Sequence, residues 1–379
     1  MKKISSNKAS TLILTDEPIK FDRRVINTTL KYKKIKIVNI KKFLHSSTKG
    51  IRVSAYFYFL CILLLSLPKV ISFWVKLSSK YNIPNNSLSR GLYGSLKGFS
   101  NANHFIEKYI NKCDGIRLIH AHSLLCAVIG LRLARKKGIE LVYDAHEVEF
   151  CRHRDSSLLR MSFDFVLESQ VIEYAKEVRV VNKVIAELYK TIYPKINGRI
   201  KIISNAYFKS RFSKSSVKNK HNISIVYVGS GIKGRMLEQL NSSSKKFNFH
   251  IHAFFLKDVP QFAIKSDWHL GSKDYQLKLE ALRSSTRCVM WCCNEIKSLS
   301  YRLSTPNKLY QALALGMPVI ASKGTYLSDI VQENNIGFIF EKDDDMQNII
   351  RRINSDEYDV ISKNCRYLQT KIEKNQALF

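Results

Sequence analysis

Short apolar runs rich in β-branched residues alternate with helical stretches along almost the whole chain of 379 residues. In the first half of the chain each run is four to six residues long and largely apolar, as the buried strands of a parallel sheet are. This alternation is typical of an α/β fold, in which helices cover both faces of a parallel sheet. The predicted strands are 11–15, 35–40, 116–120, 141–144, 178–181, 200–204, 223–228, 248–255, 288–292, 319–321 and 338–340. The predicted helices include 124–137, 275–284, 307–315 and 346–353.

The chain changes character at residues 208–222, which are basic, rich in serine and without an apolar period. Such a composition is typical of a linker. We therefore expect two doubly wound, Rossmann-like domains of similar size, facing each other across a ligand-binding cleft. The expected segments are an N-terminal domain at 1–207, the linker at 208–222, a C-terminal domain at 223–355, and a final helix at 356–379 that packs back on the N-terminal domain.

The charge of the chain restricts its partners. Lys and Arg number 62 against 31 Asp and Glu, which gives a formal net charge of +31. An excess of this size predicts a polyanionic partner: nucleic acid, an anionic membrane surface or a phosphorylated substrate. The eight cysteines form no CxxC pair, which argues against a disulfide framework and favours a reducing cytosol. The N-terminus turns polar where a signal peptide needs its apolar core, so export is not expected.

One segment, residues 53–77, does not fit a simple α/β unit. It is largely apolar and aromatic, and Pro68 and Lys69 interrupt it. Its uninterrupted apolar stretch is shorter than the roughly 20 residues that a transmembrane helix needs. Flanking basic residues and the Tyr, Phe and Trp side chains favour a helix that lies in the membrane interface. A buried helix pair of the first domain is the alternative.

Two glycines end the predicted strand 223–228 in the order Gly229-Ser230-Gly231. Glycine lets the backbone approach a phosphate group closely, and a following helix would present free N–H groups to it. Arg235 could add a charge-assisted hydrogen bond to a diphosphate. A tight turn without a ligand explains the two glycines as well.

The stretch from Thr305 to Ser322 carries more information. Pro306 is expected to start a helix, Gly316 to end it, and Pro318 to precede a buried strand. Lys308 lies in the first turn of that helix, where a positive charge opposes the helix dipole. An anion bound at this end would supply the compensating charge.

Polar residues gather at the carboxyl ends of two predicted strands of the first domain. These residues are His120, His122, Asp144, His146 and Glu147. They could orient the hydroxyl groups of a ligand, accept a proton or stabilise a developing positive charge. A metal site is a less favoured alternative, since the histidine spacing matches no familiar ligand set. Asp22 and Arg24 follow the first predicted strand and could bind an acceptor or form a surface ion pair.

The stretch 305–322 resembles the C-terminal signature of retaining glycosyltransferases, in particular glycosyltransferase family 4 with its GT-B fold. That signature reads roughly Pro-x-Lys-Leu-aromatic-Glu, followed by Ala-x-Gly-x-Pro-Val-Ile-Ala. Further segments resemble the family in the correct order. They are 11–18 with 21–25, 119–122, 142–147, 203–205 and 227–229.

The resemblance implies a nucleotide-sugar donor held mainly by the second domain. The implied donor-binding residues are Gly229, Ser230, Gly231, Arg235, Asn307, Lys308 and Gln311. Gln311 stands where the family has its ribose-binding Glu, and Leu303 occupies the position eight residues earlier. On the acceptor side, catalytic roles fall to His122, His146 and Glu147, and acceptor binding to Asp22, Arg24 and Asp144. Arg235 and Lys308 could neutralise the diphosphate without a metal, so neither a metal nor a cofactor is expected.

The chain is thus predicted to be a cytoplasmic glycosyltransferase, peripheral on the inner face of the plasma membrane. It would transfer a hexose, with retention, to a lipid-linked saccharide during bacterial lipopolysaccharide or capsule assembly. A nucleic-acid-binding protein is the alternative from another class, although the sequence has no zinc finger, RNP-like motif or basic heptads. A sugar-nucleotide epimerase and an inactive scaffold of the same fold are the nearer alternatives.

Overall fold

A computed structural model describes residues 11–16, 25, 32, 35–40, 60–81, 106, 114–152, 157–205, 223–264 and 274–374. The chain divides into two compact units. The first comprises Met1–Ile203 with Ser298–Ser300, and the second comprises Ser204–Lys297 with Tyr301–Leu378. Asp22, Arg24, the predicted linker at 208–222 and the first part of the apolar segment 53–77 lie outside the described residues.

The first unit is built on a six-stranded sheet in which all neighbouring strands are parallel. Its strand order is β2-β1-β3-β4-β5-β6. The direction of winding therefore reverses between β1 and β3, and their carboxyl ends flank the crevice that a doubly wound sheet forms there. The strands are β1 (Thr11–Thr15), β2 (Ile35–Asn39), β3 (Leu118–His122), β4 (Glu140–Asp144), β5 (Glu177–Val180) and β6 (Ile200–Ile202).

Helices of the first unit begin and end at residues whose chemistry suits those positions. They are α1 (Leu67–Lys80), α2 (Leu124–Lys137), α3 (Leu158–Tyr174) and α4 (Lys183–Ile192), with 3-10 turns at Glu149–Cys151 and Pro194–Ile196. The Ser157 and Asn182 side chains accept hydrogen bonds from backbone N–H groups in the first turns of α3 and α4. Gly138 ends α2 in the left-handed conformation that glycine adopts most easily.

The apolar segment has two faces in its described part. Phe73 and Leu77 of α1 are buried, and the Phe73 ring stacks on Phe165 of α3 with ring centroids 4.2 Å apart. Pro68 lies in the first turn of α1 and so starts this helix instead of breaking it. The outer face stays apolar and exposed, with Leu67, Ile71 and Val75 at 50%, 56% and 62% exposure. No helix among the described residues is both long and apolar enough to cross a bilayer.

The second unit contains a five-stranded sheet in the order β11-β10-β9-β7-β8, again with parallel neighbours. Read from β8, this is the 2-1-3-4-5 order of a doubly wound nucleotide-binding sheet. The strands are β7 (Ile223–Ser230), β8 (His250–Lys257), β9 (Arg287–Trp291), β10 (Val319–Ser322) and β11 (Gly337–Phe340). The prediction of two Rossmann-like α/β domains is confirmed.

Helices cover this sheet in the expected alternation. They are α5 (Leu237–Phe247), α6 (Gln261–Ile264), α7 (Tyr275–Ser285), α8 (Leu299–Leu303), α9 (Asn307–Ala314), α10 (Tyr326–Asn334), α11 (Asp345–Asn354) and α12 (Glu357–Lys374). The last helix, α12, belongs to the second unit and is bonded to it. The Tyr358 hydroxyl donates to the Cys288 carbonyl of β9 at 3.0 Å, and Ser362 donates to the Gly316 carbonyl at 2.6 Å.

Candidate functional site

The winding of the second sheet reverses between β7 and β9, so a ligand crevice is expected beyond the carboxyl ends of these two strands. Gly229 and Ser230 end β7, and the pairing with β8 shifts register between them. Gly229 has φ +149°, a conformation that side chains other than glycine rarely adopt. The strand therefore opens here into an irregular loop at the edge where ligands bind.

Gly231 is required by a close approach of backbone. A Cβ at this position would lie 2.1 Å from the carbonyl oxygen of Asp258. The Ser230 hydroxyl donates to the Asp258 carboxylate at 2.7 Å, which ties the end of β7 to the loop that follows β8. Packing alone therefore explains the glycine at position 231. Because Gly229 and Gly231 have no side chains, the loop backbone is uncovered at these two positions.

Lys308 is the most unusual side chain of the second unit. It lies in the first turn of α9 and is only 7% exposed. Its Nζ is 4.4 Å from the centroid of the Tyr227 ring and has no hydrogen-bond partner among the described residues. Burial, with a smaller contribution from the nearby charge of Arg235, lowers the pKa of Lys308 from 10.5 to about 8. An unpaired buried ammonium at a helix N-terminus is costly.

Arg235 is the second cation of this group. Its guanidinium donates to the Asn294 side chain at 2.8 Å and lies 4.7 Å from the Tyr301 ring centroid. Asn294 follows β9 and is fixed by Ser322, whose hydroxyl donates to its carbonyl at 2.7 Å. Within the described parts of the chain, neither Arg235 nor Lys308 has a carboxylate at ion-pair distance. Arg235 is near enough to Lys308 to lower its pKa, so the two positive charges repel each other.

Tyr227 links the predicted donor residues. Its ring faces the Lys308 ammonium, and its hydroxyl donates to the Ser230 carbonyl. The structure therefore brings Gly229, Ser230 and Lys308 together, and Arg235 is close enough to act on both Tyr227 and Lys308 electrostatically. We define Tyr227, Ser230, Arg235, Asn294 and Lys308 as the cationic site.

Two predicted donor residues lie at the margin of the cationic site. Asn307 is exposed at the start of α9. Gln311 lies one turn beyond Lys308 and donates to the Tyr275 hydroxyl at 3.1 Å. No role was predicted from the sequence for Tyr227, Asn294 or Tyr301. Tyr227 lies in the segment 227–229 that resembles the family, but only the glycine of that segment was predicted to bind the donor.

In the first unit, histidines and an aspartate meet at the carboxyl ends of β3 and β4, with His122 beside Asp144 in register. His122 Nδ1 is 2.9 Å from His146 Nε2, so one nitrogen donates to the other. The Asp144 carboxylate lies 3.5 Å from His122 Nδ1 and 3.6 Å from His120 Nε2. This histidine cluster, His120, His122, Asp144 and His146, can pass or hold a proton at the strand ends.

The histidine cluster is poorly arranged for a metal ion. Ligand atoms of His120, His122 and Asp144 lie within 4.8 Å of one another. The two imidazole rings, however, are stacked with centroids 4.7 Å apart and planes only 4° from parallel. A ring nitrogen binds a metal in the plane of its ring, so two parallel stacked rings do not aim at one ion. The residues present do not fit a shared metal without rotation of a buried ring.

Glu147 belongs to a separate acidic group around Arg152. The Arg152 guanidinium lies 3.8 Å from Asp16, 4.0 Å from Glu147 and 3.7 Å from Glu149. Burial raises the pKa of Glu149 to about 8, and its carboxyl accepts from the Leu124 N–H at the start of α2. Sequence reasoning found Glu147 but missed Asp16, Glu149 and Arg152. Asp22 and Arg24 lie outside the described residues.

Comparison with known proteins supports the fold assignment. Residues 289–377 match the family described as the C-terminal domain of glucosyltransferase 3-like proteins. Among curated proteins, none matches this chain in sequence.

Several solved structures share the architecture. HepE of Anabaena in complex with UDP-glucose superposes with a TM-score of 0.59 and 13% identity, covering 97% of each chain. Sucrose-phosphate synthase of Thermosynechococcus elongatus superposes with a TM-score of 0.58 and 19% identity, and the match covers 72% of this chain and 74% of that one. The lipopolysaccharide outer core galactosyltransferase WaaB in its apo form superposes with a TM-score of 0.53 and 11% identity, and the match covers 97% of this chain and 98% of that one. The chain has the GT-B glycosyltransferase fold.

Proposed function

We propose that the protein is a glycosyltransferase that uses a nucleotide-sugar donor and binds the donor diphosphate at the cationic site. The observation that carries the proposal is Lys308, a buried ammonium without a hydrogen-bond partner in the described chain, beside Arg235 at the winding reversal of the second sheet. A diphosphate is the anion whose two charges would match this pair. The HepE structure of Anabaena is a complex with UDP-glucose, which favours a UDP-hexose here.

The two cations would act on the leaving group. As the glycosidic bond breaks, negative charge grows on the nucleoside diphosphate, and fixed positive groups in a water-poor site stabilise that charge strongly. Lys308 and Arg235 can do so without a metal. We further propose that the configuration at the anomeric carbon is retained, with the departing diphosphate accepting the proton of the acceptor hydroxyl.

The acceptor would meet the first unit at the carboxyl ends of β3 and β4. There, His122 and His146 share a hydrogen bond, and Glu147 stands beside Arg152. We propose that these groups orient the acceptor hydroxyl and stabilise positive charge near the reacting carbon. Asp144 would fix His122 in the required orientation, since its carboxylate lies 3.5 Å from the ring nitrogen.

A lipid-linked saccharide at the inner face of the plasma membrane is the acceptor that best fits the rest of the molecule. The net charge of +31 favours an anionic surface. The exposed ridge of α1, Leu67, Ile71 and Val75, would lie among lipid headgroups, with Lys69 and Lys76 on the same helix. The reaction would belong to cell-surface polysaccharide assembly.

The donor proposal is tested by calorimetric titration with UDP, UDP-glucose and GDP- and dTDP-sugars. Lys308→Met and Arg235→Met should each weaken binding of the preferred nucleotide sugar by tenfold or more, since each removes a charge-assisted contact of roughly 1.5–3 kcal/mol. Lys363→Met, on the exposed face of α12, is the matched control and should bind normally. Unchanged affinity in both site variants would refute the proposal.

Turnover with membrane extract then separates the alternatives. A transferase consumes donor only when acceptor is present, whereas an epimerase converts the donor alone and a scaffold leaves it intact.

A further inference from the structure

A cavity of about 320 Å³ lies in the first unit behind α1. Its walls come from α1, α3, the end of α4 and the 3-10 turn at 194–196. Apolar side chains form its interior: Phe73, Phe165, Ile172, Ile192 and the ring of Tyr193. The volume falls at the lower end of the roughly 300–1,000 Å³ that small-molecule sites occupy.

The mouth of this cavity is cationic. Lys69, Lys76 and Lys195 line it, against one carboxylate, Glu173. Glu173 is 3.0 Å from Lys69 and 3.4 Å from Lys195, so it engages two of the three ammonium groups. For Lys76 no carboxylate lies at ion-pair distance within the described part of the chain. An apolar interior with a positive mouth is complementary to an amphiphile that carries an anionic head.

The exposed ridge of α1 borders the cavity. Leu67, Ile71 and Val75 follow each other at intervals of four residues, which places them in one row along the helix. Ser72 and Lys76, each one residue further along, line the cavity mouth. An acyl chain could pass from a bilayer contacting the ridge into the cavity and stay in apolar surroundings throughout.

The cavity is not the site of sugar transfer. The end of α4 and the turn at 194–196 lead into β6, and the end of α3 leads into β5, so the cavity lies towards the edge where these strands begin. The histidine cluster lies at the opposite edge, where β3 and β4 end. A ligand in the cavity therefore cannot place its head among His122, His146 and Glu147.

We propose that this cavity binds one acyl chain of an anionic phospholipid, with the lipid phosphate against Lys76 and the neighbouring lysines. The proposal extends the membrane association suggested above and gives it a specific ligand. It assigns the cavity to holding the protein on a bilayer and not to the reacting acceptor.

The probe is lysophosphatidylglycerol below its micelle-forming concentration, measured by calorimetry with the full chain. Lysophosphatidylcholine, which has the same tail and no net charge, and inorganic phosphate, which has no tail, are the comparison ligands. The anionic lipid should bind at least tenfold more tightly than the zwitterionic one, and phosphate should show no binding. Equal affinity for the two lipids would overturn the proposal.

Two variants locate the site. Ser72→Trp fills the mouth from an exposed position and should weaken lysophosphatidylglycerol binding at least tenfold, whereas Ser79→Trp, exposed on the same helix but outside the cavity lining, should leave it unchanged. Glu173→Gln removes the one acid of the mouth and should strengthen binding of the anionic lipid several-fold. Normal binding by Ser72→Trp, with its fold intact by circular dichroism, would refute the assignment.

Vesicle flotation distinguishes this inference from the proposed membrane association. If Leu67→Ser, Ile71→Ser and Val75→Ser together leave flotation on phosphatidylglycerol vesicles unchanged, the ridge is not a membrane contact, while the lysolipid titration still decides the cavity. If lysolipid binding fails and flotation depends on the ridge, the membrane association stands and the cavity assignment is wrong.

Discussion

Lys308 is a buried cation whose charge opposes folding. Its pKa is about 8 in the folded protein against 10.5 for an ordinary lysine, so below pH 8 the folded chain carries an ammonium that burial disfavours. Between pH 8 and 10.5 the unfolded state binds more protons than the folded state, and stability gains from this group as the pH rises. The buried charge therefore lowers the stability of the unliganded protein at neutral pH.

We predict that Lys308→Met stabilises the unliganded protein at pH 7, by up to about 3 kcal/mol from the difference of the two pKa values. The gain should shrink towards pH 10, where the wild-type lysine is neutral in the fold. Urea unfolding of both proteins at the two pH values measures this. A variant less stable than wild type at pH 7 would mean that the ammonium has a partner in solution.

The same group sets a pH dependence for donor binding. Only protonated Lys308 attracts a diphosphate, so affinity for the nucleotide sugar should fall as the pH rises through about 8. In Lys308→Arg the side chain stays charged to far higher pH. The loss of nucleotide-sugar affinity above about pH 8 should therefore disappear, even if this variant binds the nucleotide sugar less tightly than wild type does. Titrations at a series of pH values compare the two proteins. An equally steep fall in the arginine variant would assign the dependence to another group.

At the scale of elements, one buried carboxylate connects three parts of the first unit. Glu168 of α3 accepts hydrogen bonds from the hydroxyls of Tyr143 in β4, Tyr189 in α4 and Tyr193 beyond it, each at 2.6 Å. Burial raises the pKa of Glu168 to about 7 in spite of these donors. The group fixes α3 and α4 to the sheet, and Tyr193 also lines the cavity behind α1.

Glu168→Ala should destabilise the protein by about 3 kcal/mol or more, because it leaves a void and three buried hydroxyls without their acceptor. Glu187→Ala on the exposed face of α4 is the control, and its effect should stay within about 0.5 kcal/mol. Thermal or urea unfolding measures both. Similar small effects in the two variants would show that the tyrosine hydroxyls find other partners.

The sequence predicted elements well where the signal was local. The helix 124–137 and the strand 11–15 have the predicted bounds, because a glycine stop and a short buried run mark their ends directly. The third strand lies two residues later than predicted, at Leu118–His122. Its apolar run extends into His120 and His122. Periodicity cannot show that these polar side chains continue a buried strand, because their partners Asp144 and His146 come from a distant part of the sequence.

The candidate site was predictable only in part. Lys308 and Arg235 could be found, because a family motif and a glycine-rich turn indicated them. Tyr227 and Asn294 could not, since they reach the cationic site through strand pairing and through the order of strands in the sheet. The group of Asp16, Glu149 and Arg152 likewise depends on contacts between distant segments.

At the scale of the whole molecule, the net positive charge predicts how binding to an anionic membrane depends on salt. With a net charge of +31, binding to vesicles that contain phosphatidylglycerol should weaken strongly between about 0.1 M and 1 M salt, as the screening length falls from about 10 Å to 3 Å. Binding that survives high salt should depend on Leu67, Ile71 and Val75 instead. Cosedimentation across salt concentrations checks this. Salt-independent binding would show that the net charge plays no part.

The cavity behind α1 and the histidine cluster lie towards opposite edges of one sheet whose strands have five residues or fewer, a separation of roughly 15 Å. A phospholipid held at one edge would take no part in the reaction at the other edge and would not be consumed. The protein could then stay bound to the membrane through many turnovers while each saccharide diffuses in, reacts and departs. Its residence time on the membrane and its catalytic cycle would be set by separate ligands.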